Sequence, residues 1–249
     1  MYVIPANFGN DSVALIQWAA EQSLTDVAVV YVETGWAAPE WPARVEQCEA
    51  WVSGLGFKWV VLRPQADFVR LMQTRGSFPS RKFQWCAGFL KGLPLLAWLD
   101  QVECDPDLEA TILLAHRRAA AVSLNQLPEH IEDSPHYGER AVWHPLFKHD
   151  DADILALVER SGSPILAHRS LECDPCVNSD QTDLCRMSTE TLHKAAALET
   201  EMAAQLLDPA LYHGTADLVA ARERTDCTAV SAGGNIFSMG CGSPFGCGL

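Results

Sequence analysis

The sequence predicts an α/β fold: a mostly parallel sheet flanked by helices, with a cysteine-bearing C-terminal appendage. Two observations carry this. Short apolar runs alternate with helix-period segments through the first 115 residues, the pattern of βαβ units. The late cysteines then fall in an irregular stretch, residues 161–188. Tyr2 to Ala6 reads as the first strand, and Asp11 to Glu21 as a helix with Val13, Leu15, Ile16 and Ala19 at helical spacing. Val27 to Val32 is an unbroken apolar run and reads as a strand buried on both faces. Pro39 to Trp51 reads as a helix stopped by Gly54 and Gly56, and Lys58 to Leu62 as a third strand. A helix over Gly88 to Asp100 and a strand over Ala110 to Ala115 follow. Residues 120–145 read as a long loop ending in a short strand near Val142. Helices are expected over Asp151 to Arg160 and Thr189 to Leu207. The resulting division is a nucleotide-binding α/β body over 1–150, a helical, cysteine-bearing region over 151–228, and a mobile Gly/Cys tail over 229–249.

Charge and composition narrow the function. The chain has 249 residues and a formal net charge of −14 from 18 basic and 32 acidic residues. Such a chain is not expected to grip duplex nucleic acid unaided, because phosphate binding needs a positive surface. No apolar run approaches the ~20 residues of a membrane span. No secretory signal is evident at the start, and a cytoplasmic location is expected. Six basic residues (Arg63, Arg70, Arg75, Arg81, Lys82 and Lys91) nevertheless crowd residues 63–91 against the single acid Asp67. Of these, Arg75, Arg81 and Lys82 read with Arg117 and Arg118 as a focused anion pocket.

The turn Phe8-Gly9-Asn10-Asp11-Ser12 lies between the first strand and the first helix. Gly9 would permit a positive φ and close approach of a ligand to the backbone. A helix N-terminus opening at this turn presents N–H groups and a positive dipole end to an anion. Glu33-Thr34-Gly35 ends the second strand, and His116-Arg117-Arg118 the fourth, on the same carboxyl edge of the sheet, where open parallel sheets bind ligands. His116 and His144 lack metal-ligand spacing and read as structural.

Nine cysteines is a high and odd count, so complete internal pairing is excluded. In a reducing compartment, clustered thiols point to metal or catalysis rather than a disulfide framework. Cys173-x-x-Cys176, followed by Cys185 and joined by the distant Cys86, offers four thiolates suited to a [4Fe–4S] cluster or to zinc. Cys48 and Cys104 lie in helical contexts and read as core residues. Lys91, five residues after Cys86, is placed to meet the cluster or a ligand's sulfate.

Taken in order, these motifs resemble a family. Asn7 to Ser12 looks like the PP-loop of the adenine-nucleotide α-hydrolase superfamily, with the first Ser and one Gly of Ser-Gly-Gly-x-Asp-Ser missing. Val30 to Gly35 resembles the second-strand Asp-Thr-Gly of phosphoadenosine phosphosulfate (PAPS) reductases. Trp85-Cys86 with Leu90-Lys91 and Pro94-Leu95, then His144-Pro145-Leu146, then Cys173-Asp174-Pro175-Cys176, match that family's later segments. Phe245-Gly246-Cys247-Gly248-Leu249 resembles the Glu-Cys-Gly-Leu-His tail of PAPS and adenosine phosphosulfate (APS) reductases.

The resemblance implies a Rossmann-like, flavodoxin-like sheet and an adenine nucleotide (PAPS, APS or ATP) held by Phe8 to Ser12, Glu33 to Gly35, Arg81, Arg117 and Arg118. It implies a [4Fe–4S] cluster on Cys86, Cys173, Cys176 and Cys185, with zinc as the second choice. Cys247 would be the nucleophile and Lys91 its catalytic companion. A thiol reductant such as thioredoxin would supply electrons, and a homodimer is compatible with the family. Cys241 is a candidate resolving thiol. The alternatives are an ATP pyrophosphatase-type sulfurtransferase acting in nucleic-acid thiolation or phosphorothioate modification, and a non-catalytic nucleotide or cluster sensor.

Overall fold

The computed structural model describes residues 1–104, 108–118, 128–212 and 217–228. The chain begins with β1 (Tyr2–Pro5), α1 (Asn10–Glu21), β2 (Val27–Val32), α2 (Trp41–Gly54) and β3 (Lys58–Leu62). It continues through α3 (Phe68–Arg75), α4 (Trp85–Ala87), a π-helical turn (Gly88–Gly92) and α5 (Leu93–Val102). After β4 (Thr111–Leu113) come β5 (His130–Ser134), β6 (Arg140–Trp143) and α6 (Asp151–Ser161). The C-terminal part holds α7 (Gln181–Arg186), α8 (Thr189–Met202) and α9 (Leu218–Arg224).

The six strands form one sheet in the order β3-β2-β1-β4-β6-β5. Every neighbouring pair is parallel except β5–β6, which is antiparallel. Side chains alternate across the strands. Ile4, Val29, Tyr31 and Leu113 pack with residues of α1, α2 and α6 on one face. Val3, Val30 and Ile112 pack with Leu95 and Leu99 of α5 on the other. Each such apolar side chain contributes about 1.5–3 kcal/mol when buried. A one-residue slip would exchange the two faces, so the register is strongly specified. No helix among the described residues is long and apolar enough to cross a membrane.

A second apolar cluster lies beside the sheet. It joins Trp36, Phe68, Met72, Trp85 and Leu90 from the first half of the chain to Leu184, Leu192, Leu198, Leu211 and Leu218 from the second. Through this cluster the cysteine-bearing C-terminal region packs on elements of the first half.

Local chemistry explains where elements begin and end. The Asp67 side chain accepts from the Arg70 amide to cap α3, and Gly76 ends it at φ 66°. Asp150–Asp153 and Asp180–Asp183 form reciprocal capping boxes on α6 and α7. The π-turn precedes Pro94, whose ring nitrogen cannot donate to the carbonyl four residues back, and the widened turn absorbs the missing bond.

Several sequence expectations change. The helix expected from Gly88 starts three residues earlier, at Trp85. The helix expected to reach Leu207 stops at Met202, because Ala203 turns to φ 49°. Part of the expected 120–145 loop is the edge strand β5, and the stretch read as irregular contains α7.

Candidate functional site

The carboxyl ends of β1, β2 and β4 converge on one edge of the sheet. Here β1 lies between β2 and β4, and its connection runs to β2. This is the place where open α/β sheets leave a crevice for a ligand. The turn after β1 is densely built: Asn7, Phe8, Asn10, Asp11 and Ser12 are all buried. Asn7 Oδ1 accepts from the Gly9 amide at 2.9 Å and lies 3.1 Å from Ser12 Oγ. Arg44 Nε donates to the Phe8 carbonyl at 3.0 Å. Asn10 exchanges two 3.0 Å bonds with the backbone of Leu166. Ser170 Oγ donates to the Asn7 carbonyl at 2.9 Å.

The sequence expectation for the turn's backbone is corrected here. Gly9 is the extended N-cap of α1, with φ −69°, and Phe8 takes the left-handed conformation at φ 55°. The Phe8 ring is fully buried against Tyr31 and Trp59, with centroids 5.7 and 5.4 Å away. That packing offsets the cost of a positive φ at a bulky residue. Asp11 and Ser12 lie inside the first turn of α1 rather than at its cap.

Arg117 follows β4 and is the electrostatic centre of this edge. Its side chain is 1% exposed. Nε lies 3.3 Å from Asp11 Oδ1, and Nη1 donates to Asp151 Oδ1 at 2.8 Å. The guanidinium therefore links the starts of α1 and α6. Arg118 turns outward and lies 4.9 Å from the Phe147 ring centroid. His116 stacks on His144 at 5.6 Å. Burial, and secondarily His144, pushes the His116 imidazole down to about 4, so it is neutral at physiological pH.

The end of β2 serves the cysteine loop. Thr34 Oγ1 donates to the Glu172 carbonyl at 2.8 Å, and Cys173 Sγ lies 3.5 Å from it. Trp36 pairs with Cys173 in a parallel bridge, and its indole donates to the Pro175 carbonyl at 3.0 Å. Gly35 adopts φ +72°, and a Cβ there would come within 2.7 Å of Asp67 Cβ. Glu33 is exposed and pairs with Arg63 at 2.7 Å. Arg81 reaches the far side of the same loop, donating to the Ser179 carbonyl at 2.8 Å. Thr34 and Arg81 are thus engaged with the cysteine loop in this structure.

Cys86, Cys173 and Cys176 line one cavity together with Lys91, Phe68, Leu90 and Pro175. Lys91 and Glu172 form a buried ion pair between the π-turn and the cysteine loop. They also line a second small cavity under the ends of β1 and β2, with Pro5, Ala6, Val30 and Val32. Arg169 Nη2 lies 3.6 Å from Cys176 Sγ, and its Nη1 lies 4.0 Å from Asp183 of α7. Asp174 is buried inside the cysteine loop. Desolvation, and then the neighbouring Asp183, raises its carboxyl to about 6.

Cys185, the expected fourth ligand, is bonded to Cys227 in a disulfide. Among the described residues, no group of three or more His, Cys, Asp or Glu side chains is arranged to hold a metal ion. As it stands the donor set does not fit a four-thiolate centre, and the expectation is corrected to three thiols around one cavity with the fourth held elsewhere. Cys104 is corrected too. It is exposed beyond the end of α5, with Sγ 3.3 Å from the Asp100 carbonyl. Cys48 is buried as expected, and desolvation pushes its thiol up to about 11. Cys241 and Cys247 lie outside the described residues.

Sequence reasoning missed Arg44, Asp151, Ser170 and Glu172. Each is distant in sequence from the group it supports, and none lies in a recognisable spacing. Glu172 had one signal, its place beside the Cys-x-x-Cys.

No curated protein matches the chain. Among solved structures, it is similar to PAPS reductase from Candida auris in a phosphate complex, with 14% identity, 66% of this chain and 73% of that chain covered, and a TM-score of 0.44. It is also similar to NMN synthetase from Francisella tularensis, with 9% identity, 89% and 82% covered, and a TM-score of 0.47. An FMN adenylyltransferase from Candida glabrata matches at 11% identity and a TM-score of 0.39, over 63% of this chain and 46% of that one. The model of the phosphoadenosine phosphosulfate reductase domain matches residues 1–167, and the chain belongs to that family.

Proposed function

We propose that this chain is a cytoplasmic thiol-dependent enzyme that binds an adenine sulfonucleotide at the carboxyl edge of its sheet and reduces it. The observation that carries this reading is Arg117, buried at the start of α1 between Asp11 and Asp151. The guanidinium is already offset by these two carboxylates, so the N–H groups at the start of α1 are what favour a phosphate or sulfate oxyanion, and Arg117 holds that start in place. Neutral His116 adds a polar wall at the end of β4 without adding charge.

The proposed chemistry follows from the family. The Cys247 thiolate attacks the sulfonate sulfur, and the S–O bond to phosphate breaks with its electron pair leaving on the nucleotide. The product is a cysteine S-sulfonate. A second thiol then attacks the cysteine sulfur, forms a disulfide and releases sulfite. Two thiols thereby give two electrons to S(VI). A thioredoxin-like dithiol restores them. A [4Fe–4S] centre on Cys86, Cys173, Cys176 and Cys185 would require Cys185 to leave Cys227, and the steps above run through no such centre.

The test is anaerobic turnover with PAPS, APS and ATP, scored as sulfite and pyrophosphate release. Sulfite from one sulfonucleotide, lost in Cys247→Ser with nucleotide affinity retained, supports the reading. A fully active Cys247→Ser variant overturns it. A second reading, ATP-dependent sulfur transfer to an acceptor, is favoured by one observation. Two carboxylates around Arg117 leave a net negative charge, which suits a nucleotide arriving with Mg2+. Pyrophosphate release from ATP, with no response to sulfonucleotides, selects it.

A further inference from the structure

The thiols of this chain sit in two kinds of surroundings. Cys48 lies in the apolar cluster on the sheet, where desolvation pushes its thiol up to about 11. Such a thiol is inert, whereas reactive ones sit in electropositive, partly exposed places. Cys173 and Cys176 have the second kind. The chain bends at Asp174 and Pro175 between them, and both line one cavity. Arg169 Nη2 lies 3.6 Å from Cys176 Sγ. The Lys194 ammonium is within the field of Cys173: burial lowers it, and Asp174 and Cys173 oppose that. Cys173 is partly exposed, and Cys176 is 8% exposed. The loop is pinned on both sides of the pair, by the Trp36–Cys173 bridge and by Arg81 on the Ser179 carbonyl. A bond between the two sulfurs therefore asks for movement within the loop and not of the helices around it. Cys185, the next sulfur along the chain, is already bonded to Cys227.

We infer that Cys173 and Cys176 form a redox-active dithiol that exchanges electrons with a low-molecular-weight disulfide reaching the cysteine loop from solvent. This goes beyond the proposed sulfonucleotide reaction and does not rest on it. Cys173 is the sulfur an incoming disulfide meets, because it is the more accessible of the two. Its sulfur attacks one sulfur of the incoming disulfide, whose S–S bond breaks, and the other half leaves as a thiol carrying the Cys173 proton. Cys176 then attacks the Cys173 sulfur in the mixed disulfide. The second half leaves with the Cys176 proton, and a Cys173–Cys176 bond remains. The pair has lost two electrons, and the incoming disulfide has gained two electrons and two protons. The reverse steps, with two small thiols as reductant, restore the dithiol. Buried Cys176 is thereby the resolving sulfur, and its seclusion limits attack on it by anything but Cys173.

The experiment uses the full chain without nucleotide, and glutathione disulfide as the probe. Protein is held under argon at a series of ratios of glutathione disulfide to glutathione, quenched with acid, alkylated, and cut with a protease that cleaves before aspartate. A cut between Cys173 and Asp174 separates the two sulfurs unless a disulfide joins them, so the non-reducing peptide map reads the bond directly. The expected result is a Cys173–Cys176 bond that forms at high disulfide and reopens at high glutathione, in the unaltered chain and in Cys86→Ser alike. Cys176→Ser is expected to stop at a Cys173–glutathione mixed disulfide. Cys173→Ser is expected to react at Cys176 at least about tenfold more slowly, since access sets the rate of exchange. In urea the two single variants should react alike. The map of the unaltered chain decides the matter even if a variant does not fold. Cys173 and Cys176 alkylated at every ratio, a bond from either to Cys86, or a bond that glutathione does not reopen overturns the inference. Folded single variants that react at equal rates overturn the assigned order and the inference with it.

Discussion

Lys91 and Glu172, 81 positions apart, form an ion pair with both side chains almost fully enclosed (5% and 3% exposed). The pair ties the π-turn to the cysteine loop. Breaking a buried pair by removing one partner typically costs about 3–5 kcal/mol, because a charge is left uncompensated, whereas replacing both by apolar groups is often neutral. Lys91→Met and Glu172→Leu are each expected to lower the urea midpoint strongly, and the double variant to recover most of the loss. A double-mutant cycle by chemical denaturation checks this, and additive single losses would refute it.

Gly35 is expected to tolerate no side chain. A Cβ there would come within 2.7 Å of Asp67 Cβ at φ +72°. Gly35→Ala should destabilise by about 1–3 kcal/mol, read from thermal or urea unfolding. Asp67 caps α3, so helix loss by circular dichroism should accompany it. Gly54→Ala, inside α2 with nothing within 4 Å of the added Cβ, should be stabilising or neutral.

Two buried groups give opposite pH dependences in overlapping windows. His116 titrates near 4 in the folded chain against an ordinary 6.5. Between those values the unfolded chain binds the extra proton, so stability from this group rises with pH and is lost as pH falls toward 4. Asp174 titrates near 6 against an ordinary 3.8. Between those values the folded chain binds the extra proton, so stability from this group falls as pH rises. Relative to the parent chain, Asp174→Asn should steepen the gain in stability from pH 4 to 6, and His116→Gln should reverse it. Urea midpoints measured every half pH unit decide the matter.

Arg117→Lys keeps the charge and loses the fork that spans Asp11 and Asp151. Stability is expected to fall by about 1.5–3 kcal/mol, the contribution of one charge-assisted hydrogen bond. Urea unfolding measures it, and isothermal titration with ATP and PAPS reads the accompanying fall in nucleotide affinity. Arg118→Ala, on an exposed side chain, should change stability by less than about 0.5 kcal/mol.

What was legible in the sequence follows from physical range. The strands Val27–Val32 and Lys58–Leu62 have the bounds their apolar runs suggest. The helices α3, α7 and α9 were not recognised, being eight, six and seven residues long. Helices this short carry barely two turns of periodicity and are announced chiefly by the capping residues Asp67, Asp180 and Asp217. The edge strand His130–Ser134 holds one apolar residue, Ile131, against four polar ones, so no alternation marks it. In the candidate site, Asp11 and Arg117 were visible through local motifs, but their meeting across 106 positions was not. The partner of Cys185 was equally hidden, because spacing says nothing about which distant thiol a cysteine meets.

Residues 166–173 are stitched to the opening turns at several points, among them Leu166 to Asn10, Ser170 to Asn7, Leu171 to Ala38, Glu172 to Thr34 and Cys173 to Trp36. A chain cut after residue 167, where the match to the family domain ends, would keep the whole sheet but of these seams only the one at Leu166. The Asn7 carbonyl and the Thr34 hydroxyl would face water where they now face protein. An excised fragment would therefore be a sheet with an unsealed rim, and the smallest piece that can stand alone extends at least through the cysteine loop.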